Sequence, residues 1–228
     1  MSRKKYAFIT FVLLTSSVSW AGNGFYAGAG VGSEATDYKQ TARVIVAVPP
    51  RVESNIKDTE HFSGTGVFAN LFGGYSHTWR NQLYLAGEIN LDASTDEFTA
   101  ENVEFVHATV SNTSYKMENA YGVSLLPGYA YKDFLYYARV GYANGNLKTA
   151  SSDPSLANIN RRIGGLRLGL GINKSFTDHI NARVEYSETF YQKTRFKVIN
   201  GPATKTTQIT PTTGQVEISV IYNFGKVI

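Results

Sequence analysis

Apolar and polar residues alternate with period two in eight separate stretches of this 228-residue chain, and no other feature restricts the fold so tightly. A strand sends successive side chains to opposite faces, whereas an amphipathic helix repeats every three to four residues. The stretches run over 24–32, 66–79, 83–92, 115–130, 134–143, 162–176, 180–190 and 214–224. In the last, Val216, Ile218, Val220, Tyr222 and Phe224 share one face and Gln215, Glu217, Ser219 and Asn223 the other, with Ile221 alone breaking the polar row. The seventh sets Ile180, Ala182, Val184 and Tyr186 against Asn181, Arg183, Glu185 and Ser187. In the sixth, Leu166, Leu168, Leu170 and Ile172 oppose Arg167, Asn173 and glycines.

Two-faced strands also build soluble sandwiches and lipocalin-like barrels, so connection lengths and aromatic placement decide. The connections read long, short, long, short, long, short, long: 33–65, 80–82, 93–114, 131–133, 144–161, 177–179 and 191–213. Short turns on one side and long connections on the other, with the first and last strands both ending on the short-turn side, are the asymmetry of a transmembrane barrel. Amphipathic rings settle at the level of lipid headgroups, so the short-turn ends of the apolar face should carry a girdle. Phe25, Tyr75, Trp79, Tyr129, Phe134, Phe176, Tyr222 and Phe224 occupy those positions, and Tyr121, Tyr142, Tyr186 and Phe190 mark the opposite ends. A soluble core has no reason to sort aromatics by strand end. The expected fold is therefore all-β, an eight-stranded antiparallel up-and-down transmembrane β-barrel, closed because lipid offers a sheet edge no hydrogen-bond partner.

Arg3, Lys4 and Lys5 precede an apolar run from Tyr6 to Leu14, and Ser19-Trp20-Ala21 places small residues three and one positions before a cut. This is the layout of a secretory signal peptide. The run is about half of the ~20 apolar residues a spanning helix needs. Cleavage after Ala21 is expected, dividing the chain into signal peptide 1–21 and barrel domain 22–228. The cut removes three of 22 basic residues and none of 18 acidic ones, so formal charge falls from +4 to +1. No run of Lys and Arg survives in the mature part, and nucleic acid is not an expected partner. The absence of cysteine excludes disulfide scaffolds, thiolate metal sites and thiol nucleophiles. A mean hydropathy of -0.20, without a long apolar run beyond the leader, argues against a helical membrane protein.

The segment Gly24-Phe25-Tyr26-Ala27-Gly28-Ala29-Gly30-Val31-Gly32 resembles the first strand, and Val216 to Phe224 the last, of the small eight-stranded Gram-negative outer-membrane barrels, the OmpA-like, Ail/OmpX-like and opacity-protein-like group. The resemblance covers residues 22–224 and departs at the end, where Gly225-Lys226-Val227-Ile228 follow Phe224. It implies residence in the cell outer membrane, a shell of outer-membrane lipid, and recognition of the C-terminal strand by the barrel-assembly machinery. The short turns are then periplasmic and the four long connections extracellular. Because those connections are long and rich in Thr, Ser and Asn, the expected role is a non-enzymatic surface protein. Its barrel anchors loops for adhesion or another interaction with a host or extracellular ligand. The alternative is a small-solute, porin-like pore through the lumen.

Glu88, Arg139, Arg167, Arg183, Glu185 and Glu217 fall on the face opposite the lipid. Buried charges must pair, so a salt-bridged network filling the lumen is expected. An eight-stranded barrel is just wide enough for side chains to fill. Gly128, Gly141, Gly169 and Gly171 also point inward and would leave room beside the larger groups. Lipid A-modifying barrels of this size use a histidine with a serine and an acid near the rim. Here His77 beside Trp79 reads as a girdle residue, and His179 lies in a tight turn. His61 and His107 lie in long connections near Ser63, Thr109, Glu60 and Glu104, without a family motif around them. No catalytic group, metal or cofactor is expected. The apolar stretch 43–52, broken by Pro49-Pro50, should extend strands above the membrane with the diproline as their turn. Val103, Phe105, Val106 and Val110 of the second connection are candidates to pair with it.

Overall fold

The computed structural model describes residues 23–48, 51–103, 110–151, 159–200 and 203–225, as strand or short turn. Residues 1–21, expected from the sequence to be a signal peptide, lie outside them. Ten strands follow in order: β1 (Gly24–Val48), β2 (Arg51–Thr78), β3 (Leu83–Ser94), β4 (Glu97–Val103), β5 (Val110–Tyr131), β6 (Phe134–Ser151), β7 (Ile159–Ser175), β8 (Ile180–Tyr191), β9 (Thr194–Asn200) and β10 (Ala203–Asn223). Eight close an antiparallel ring, β1-β2-β3-β5-β6-β7-β8-β10, while β4 and β9 prolong β3 and β8 beyond short breaks. Pairing of β1 with β10, from Tyr26↔Asn223 to Val46↔Ala203, seals the ring. At the short turns Gln82 (φ 68°) and Lys132 (φ 53°) take the left-handed conformation, and the Thr177 hydroxyl accepts the Ile180 N–H at 3.0 Å.

Apolar side chains stand exposed on the outer face over 25–31, 67–79, 83–91, 121–131, 134–142, 166–176, 180–190 and 216–224. Exposed rows of Leu, Val and Ile would be unstable in water; here they form the lipid-facing band. At about 3.3 Å per residue the last of these segments measures about 26 Å along the strand, the reach of the hydrocarbon layer. Aromatic rings meet edge to face at its short-turn margin, Phe25 with Tyr75 and Tyr222 with Phe224, each pair 5.1 Å between centroids. Lys174 Nζ lies 5.4 Å from the Phe134 ring centre and 5.5 Å from that of Phe176, snorkelling toward water.

The strands do not stop at the band. Segments 33–65, 93–114, 144–161 and 191–213, read from the sequence as long loops, are mostly paired strand. β1 and β2 run on together to Val48↔Arg51, flanking residues 49–50, which lie outside the described residues. Above the membrane the outer face meets water and turns polar, so alternation fades from the sequence although the backbone pairing persists. The second connection forms its own hairpin, β4 with β5 up to Val103↔Val110. It meets β2 only at Thr65↔Glu97 in place of the expected pairing with the first hairpin; Phe105 and Val106 lie outside the described residues.

Above Thr65 and Glu97, β2 and β4 part, and above Gly165 and Tyr191, β7 parts from the β8–β9 line. On the side of the long connections the ring thus divides into two four-stranded sheets, β9-β10-β1-β2 and β4-β5-β6-β7. A bulge between Glu118 and Ala120 reverses the facing of β5 at this height. One extra residue flips every side chain beyond it, which turns Tyr115 and Met117 inward and Lys116 and Glu118 outward.

Candidate functional site

The lumen is stratified. Nearest the short turns, Tyr26, Phe72, Tyr84, Ala86, Leu126, Ala130, Leu135, Tyr137 and Ile221 form a buried apolar layer. Ile221, the residue that interrupts the polar row of its strand, belongs to this layer. A small recess at the short-turn end, lined by Ser76, Asn173, Asn181 and Asn223 together with Tyr26, Tyr84, Leu135 and Ile221 of this layer, reaches Arg183.

The charged layer comes next. Four of the six residues singled out from the sequence meet here. Arg139 Nη2 donates to Glu88 Oε1 at 2.6 Å, and its Nε lies 2.7 Å from Glu185 Oε1. Arg183 Nη1 donates to Glu88 Oε2 at 2.9 Å, and its guanidinium lies 4.4 Å from the Phe72 ring centre. Tyr26 donates to Glu88 at 2.9 Å, Tyr137 donates to Glu185, and Arg139 Nη1 reaches the Ser124 hydroxyl at 3.1 Å. Two carboxylates thus face two guanidiniums, with the Tyr26, Tyr137 and Ser124 hydroxyls and the Asn173 amide oxygen around them, while Arg183 Nη2 has no hydrogen-bond partner among the described residues. In a medium of low dielectric only such dense pairing offsets the loss of water.

The other two stand apart. Arg167 pairs with Asp92 at 2.7 Å and donates through Nε to Thr189 at 3.1 Å. Glu217 accepts from Asn70 Nδ2 at 2.8 Å and has no cation of its own among the described residues. Asp92 and the two tyrosines are participants that charge counting overlooked; a search for polar residues on all inward positions would have found them. The inward glycines leave no open track. A Cβ at Gly171 would collide with the Tyr137 hydroxyl, and one at Gly141 would collide with the Ser124 hydroxyl. Added at Gly169 or Gly128 it would lie 2.7 or 2.5 Å from a neighbouring carbonyl oxygen.

Above the band the interior closes again around Tyr38, Tyr115, Met117, Leu147, Ile163, Tyr191 and Ile209, with Phe62 packed against them. Burial pushes the Tyr115 hydroxyl up to about 12, so it stays protonated and donates to Gln40 at 2.8 Å. Between this layer and the membrane lie two carboxylates without a cation among the described residues. Glu34 accepts from Ser94 and from Gln215 Nε2, the latter at 2.9 Å, while Asp96 is fully buried. Burial raises the pKa of both, offset in part by Ser94 and Gln215 for Glu34 and by Thr36 for Asp96.

For an acid whose folded pKa is raised, the associated stability is present at low pH and lost as pH climbs through that pKa. The urea midpoint in detergent should therefore fall as pH rises above the ordinary carboxylate range. The doubly substituted Glu34→Gln/Asp96→Asn protein should show a flatter profile; an unchanged slope would mean that these groups do not titrate as their burial requires.

The histidines are scattered. His77 stacks edge to face on Trp79 at 4.8 Å, and His179 Nδ1 lies 2.9 Å from the Asn223 carbonyl oxygen. His61 stands on the exposed face of β2, 3.8 Å from Asp37, and His107 lies outside the described residues.

The model of the outer membrane protein beta-barrel domain family matches residues 7–224. Among solved structures, the outer membrane protein OprG from Pseudomonas aeruginosa superposes with a TM-score of 0.51 at 12% identity, over 89% of this chain and 97% of that one. Neisserial surface protein A gives 0.46 at 13% identity, over 90% and 99%. The outer membrane protease OmpT from Escherichia coli gives 0.45 at 11% identity, over 92% and 100%. These are likenesses of fold alone. No curated protein matches the chain in sequence.

Proposed function

This chain belongs to the family of outer membrane protein beta-barrel domains, and from that premise we propose that its barrel is a sealed, non-enzymatic anchor presenting two extracellular sheets for interaction at the cell surface. The observation that carries this reading is the filling of the lumen at two heights, by the Tyr26–Tyr137 layer below and the Tyr38–Tyr191 layer above, with paired charges between them. A solute pore needs a continuous wet path; the recess at the short-turn end passes the lower layer only as far as Arg183, and the paired charges and the upper layer stand in the way beyond it. Segment 33–48 of β1 extends about 50 Å beyond the band at about 3.3 Å per residue, far more than a turn requires. His61 and Asp37 sit on an open strand face where water is not excluded, which is poor ground for acid–base chemistry. The C-terminal strand, paired on both sides, is the element offered to the barrel-assembly machinery.

Protein shown to be folded by its heat-modifiable gel mobility is expected to be silent in a planar bilayer. Steady channels whose ion selectivity changes on neutralising Arg139 or Glu88 would instead establish the porin-like alternative. Shortening the β1–β2 hairpin to the level of the band should abolish binding to host cells while leaving folding intact. Unchanged cell binding and serum survival in a strain carrying only the shortened protein would remove the interaction role.

A further inference from the structure

Six buried carboxylates share the interior with three buried guanidiniums among the described residues. Arg139, Arg183 and Arg167 are taken by Glu88, Glu185 and Asp92. Glu217 lies apart on Asn70, which leaves Glu34 and Asp96 as two negative charges just below the upper apolar layer. They come from different strands and meet across Gly66. Gly66 pairs with Glu34 on one side, and on the other a Cβ added to it would lie 2.7 Å from the Asp96 Cα and N. The missing side chain leaves room between the two carboxylates.

The surrounding groups fix both acids in place. Ser94 Oγ donates to Glu34 and accepts the Asp96 N–H at 3.0 Å, while Gln215 donates to the other Glu34 oxygen at 2.9 Å. Thr95 pins the break between β3 and β4 to β2, its N–H and its hydroxyl both donating to the Val67 carbonyl at 3.0 Å. Asp96 is fully buried, but neither of its carboxylate oxygens has a hydrogen-bond partner among the described residues; Thr36 is near enough only to ease its charge. A second orphan points to the same place. Tyr38, from the layer above, is fully buried with its hydroxyl unpartnered among the described residues, and burial together with the charges of Asp96 and Glu34 keeps that hydroxyl protonated.

We propose that Glu34 and Asp96 bind one calcium-sized divalent cation, with the Ser94, Thr36 and Tyr38 hydroxyls as further oxygen donors. The charge fits, since one divalent ion neutralises two carboxylates that burial would otherwise leave uncompensated. The donor set fits as well. Carboxylate oxygens keep lone pairs beyond the hydrogen bonds they already accept, and calcium tolerates an irregular all-oxygen shell. Among the described residues no larger group of histidine and acidic side chains gathers, so the site lacks the imidazole-rich set of a transition-metal centre. Access is at hand: β2 and β4 part directly above Thr65↔Glu97, beside Asp96, and the seam opens toward the medium. The inference depends neither on what the long connections bind nor on whether the lumen conducts.

The test uses the full mature barrel in detergent micelles, at a pH above the ordinary carboxylate range, with urea midpoints read in chelator, in calcium chloride and in sodium chloride at matched ionic strength. Calcium should raise the midpoint and saturate, with half its effect at about 10⁻⁴–10⁻³ M, the range of extracellular calcium modules. Sodium should not. The fall of the midpoint with pH, expected in chelator, should disappear in saturating calcium. Terbium luminescence excited through tyrosine should appear on binding and be displaced by calcium. Glu34→Gln/Asp96→Asn, and Asp96→Asn alone, should lose both the luminescence and the calcium shift with an unaltered folded gel band. Asp37→Asn/Glu97→Gln, which removes exposed carboxylates nearby, should behave as wild type. A wild-type midpoint indifferent to calcium would overturn the proposal and leave the two acids held by protons. An equal effect of sodium, an undiminished response in the Asp96 variants, or equal loss in the exposed-carboxylate control would overturn it too.

Discussion

Replacing Glu88 with Ala is expected to cost about 3–5 kcal/mol, the usual penalty for removing one partner of a buried ion pair. Glu88 is 3% exposed and accepts from Arg139, Arg183 and Tyr26. Its loss strands two guanidiniums near each other, one of them 1% exposed, with Glu185 left as the nearby carboxylate. Neither arginine can shed its proton, so the charge must be tolerated or the strands must part. The expected signature is a large fall in urea midpoint in micelles, together with loss of the fast-migrating folded band. Glu217→Gln provides the comparison. That carboxylate is buried but is held by Asn70 without a cation, so making it neutral should change stability by less than about 1 kcal/mol. Equal effects at the two sites would show that the four-charge cluster is not where the interior is held together.

The second large effect is expected at Gly32. A Cβ there would collide with the Val216 carbonyl oxygen and lie 2.6 Å from the Phe68 ring. The first of these is backbone belonging to the β1–β10 ladder that closes the ring, so it cannot swing aside as a side-chain tip could. Gly32→Val should cost about 3 kcal/mol, the upper part of the range for overpacking, and slow refolding into micelles. At Gly87 an added Cβ would meet nothing within 4 Å, because the position faces lipid. Gly87→Val should stay within about 0.5 kcal/mol of wild type. If both substitutions were tolerated alike, closure of the barrel would not depend on the close approach at Gly32.

The strand order, the periplasmic turns and the lipid band were legible from residues 24 to 224 because lipid imposes one rule on every strand: apolar outward, at every second position. Val216 to Phe224 obeys it, and the exposed row matches residue for residue. The inner face is less constrained. It admits Glu88 beside Tyr26 and Phe72, so polarity could identify the charged members but not the apolar layers that bracket them, and Ile221 looked like an exception when it was part of a layer. Above the band the rule ends, since water wets the outer face, and segments such as 33–48 and 51–65 lost their alternation while remaining fully paired.

Alternation, aromatic placement and the rhythm of short and long connections thus determined a closed, membrane-spanning eight-stranded barrel, because each reflects a local demand that lipid makes on a strand. Which interior charges meet and where the ring divides into two sheets were decided only by tertiary structure. Glu88 and Arg183, for example, are 95 positions apart in the sequence. Strand register brings such residues to one height on the inner face, and the bulge near Glu118 sets which side chains of β5 turn inward above the band.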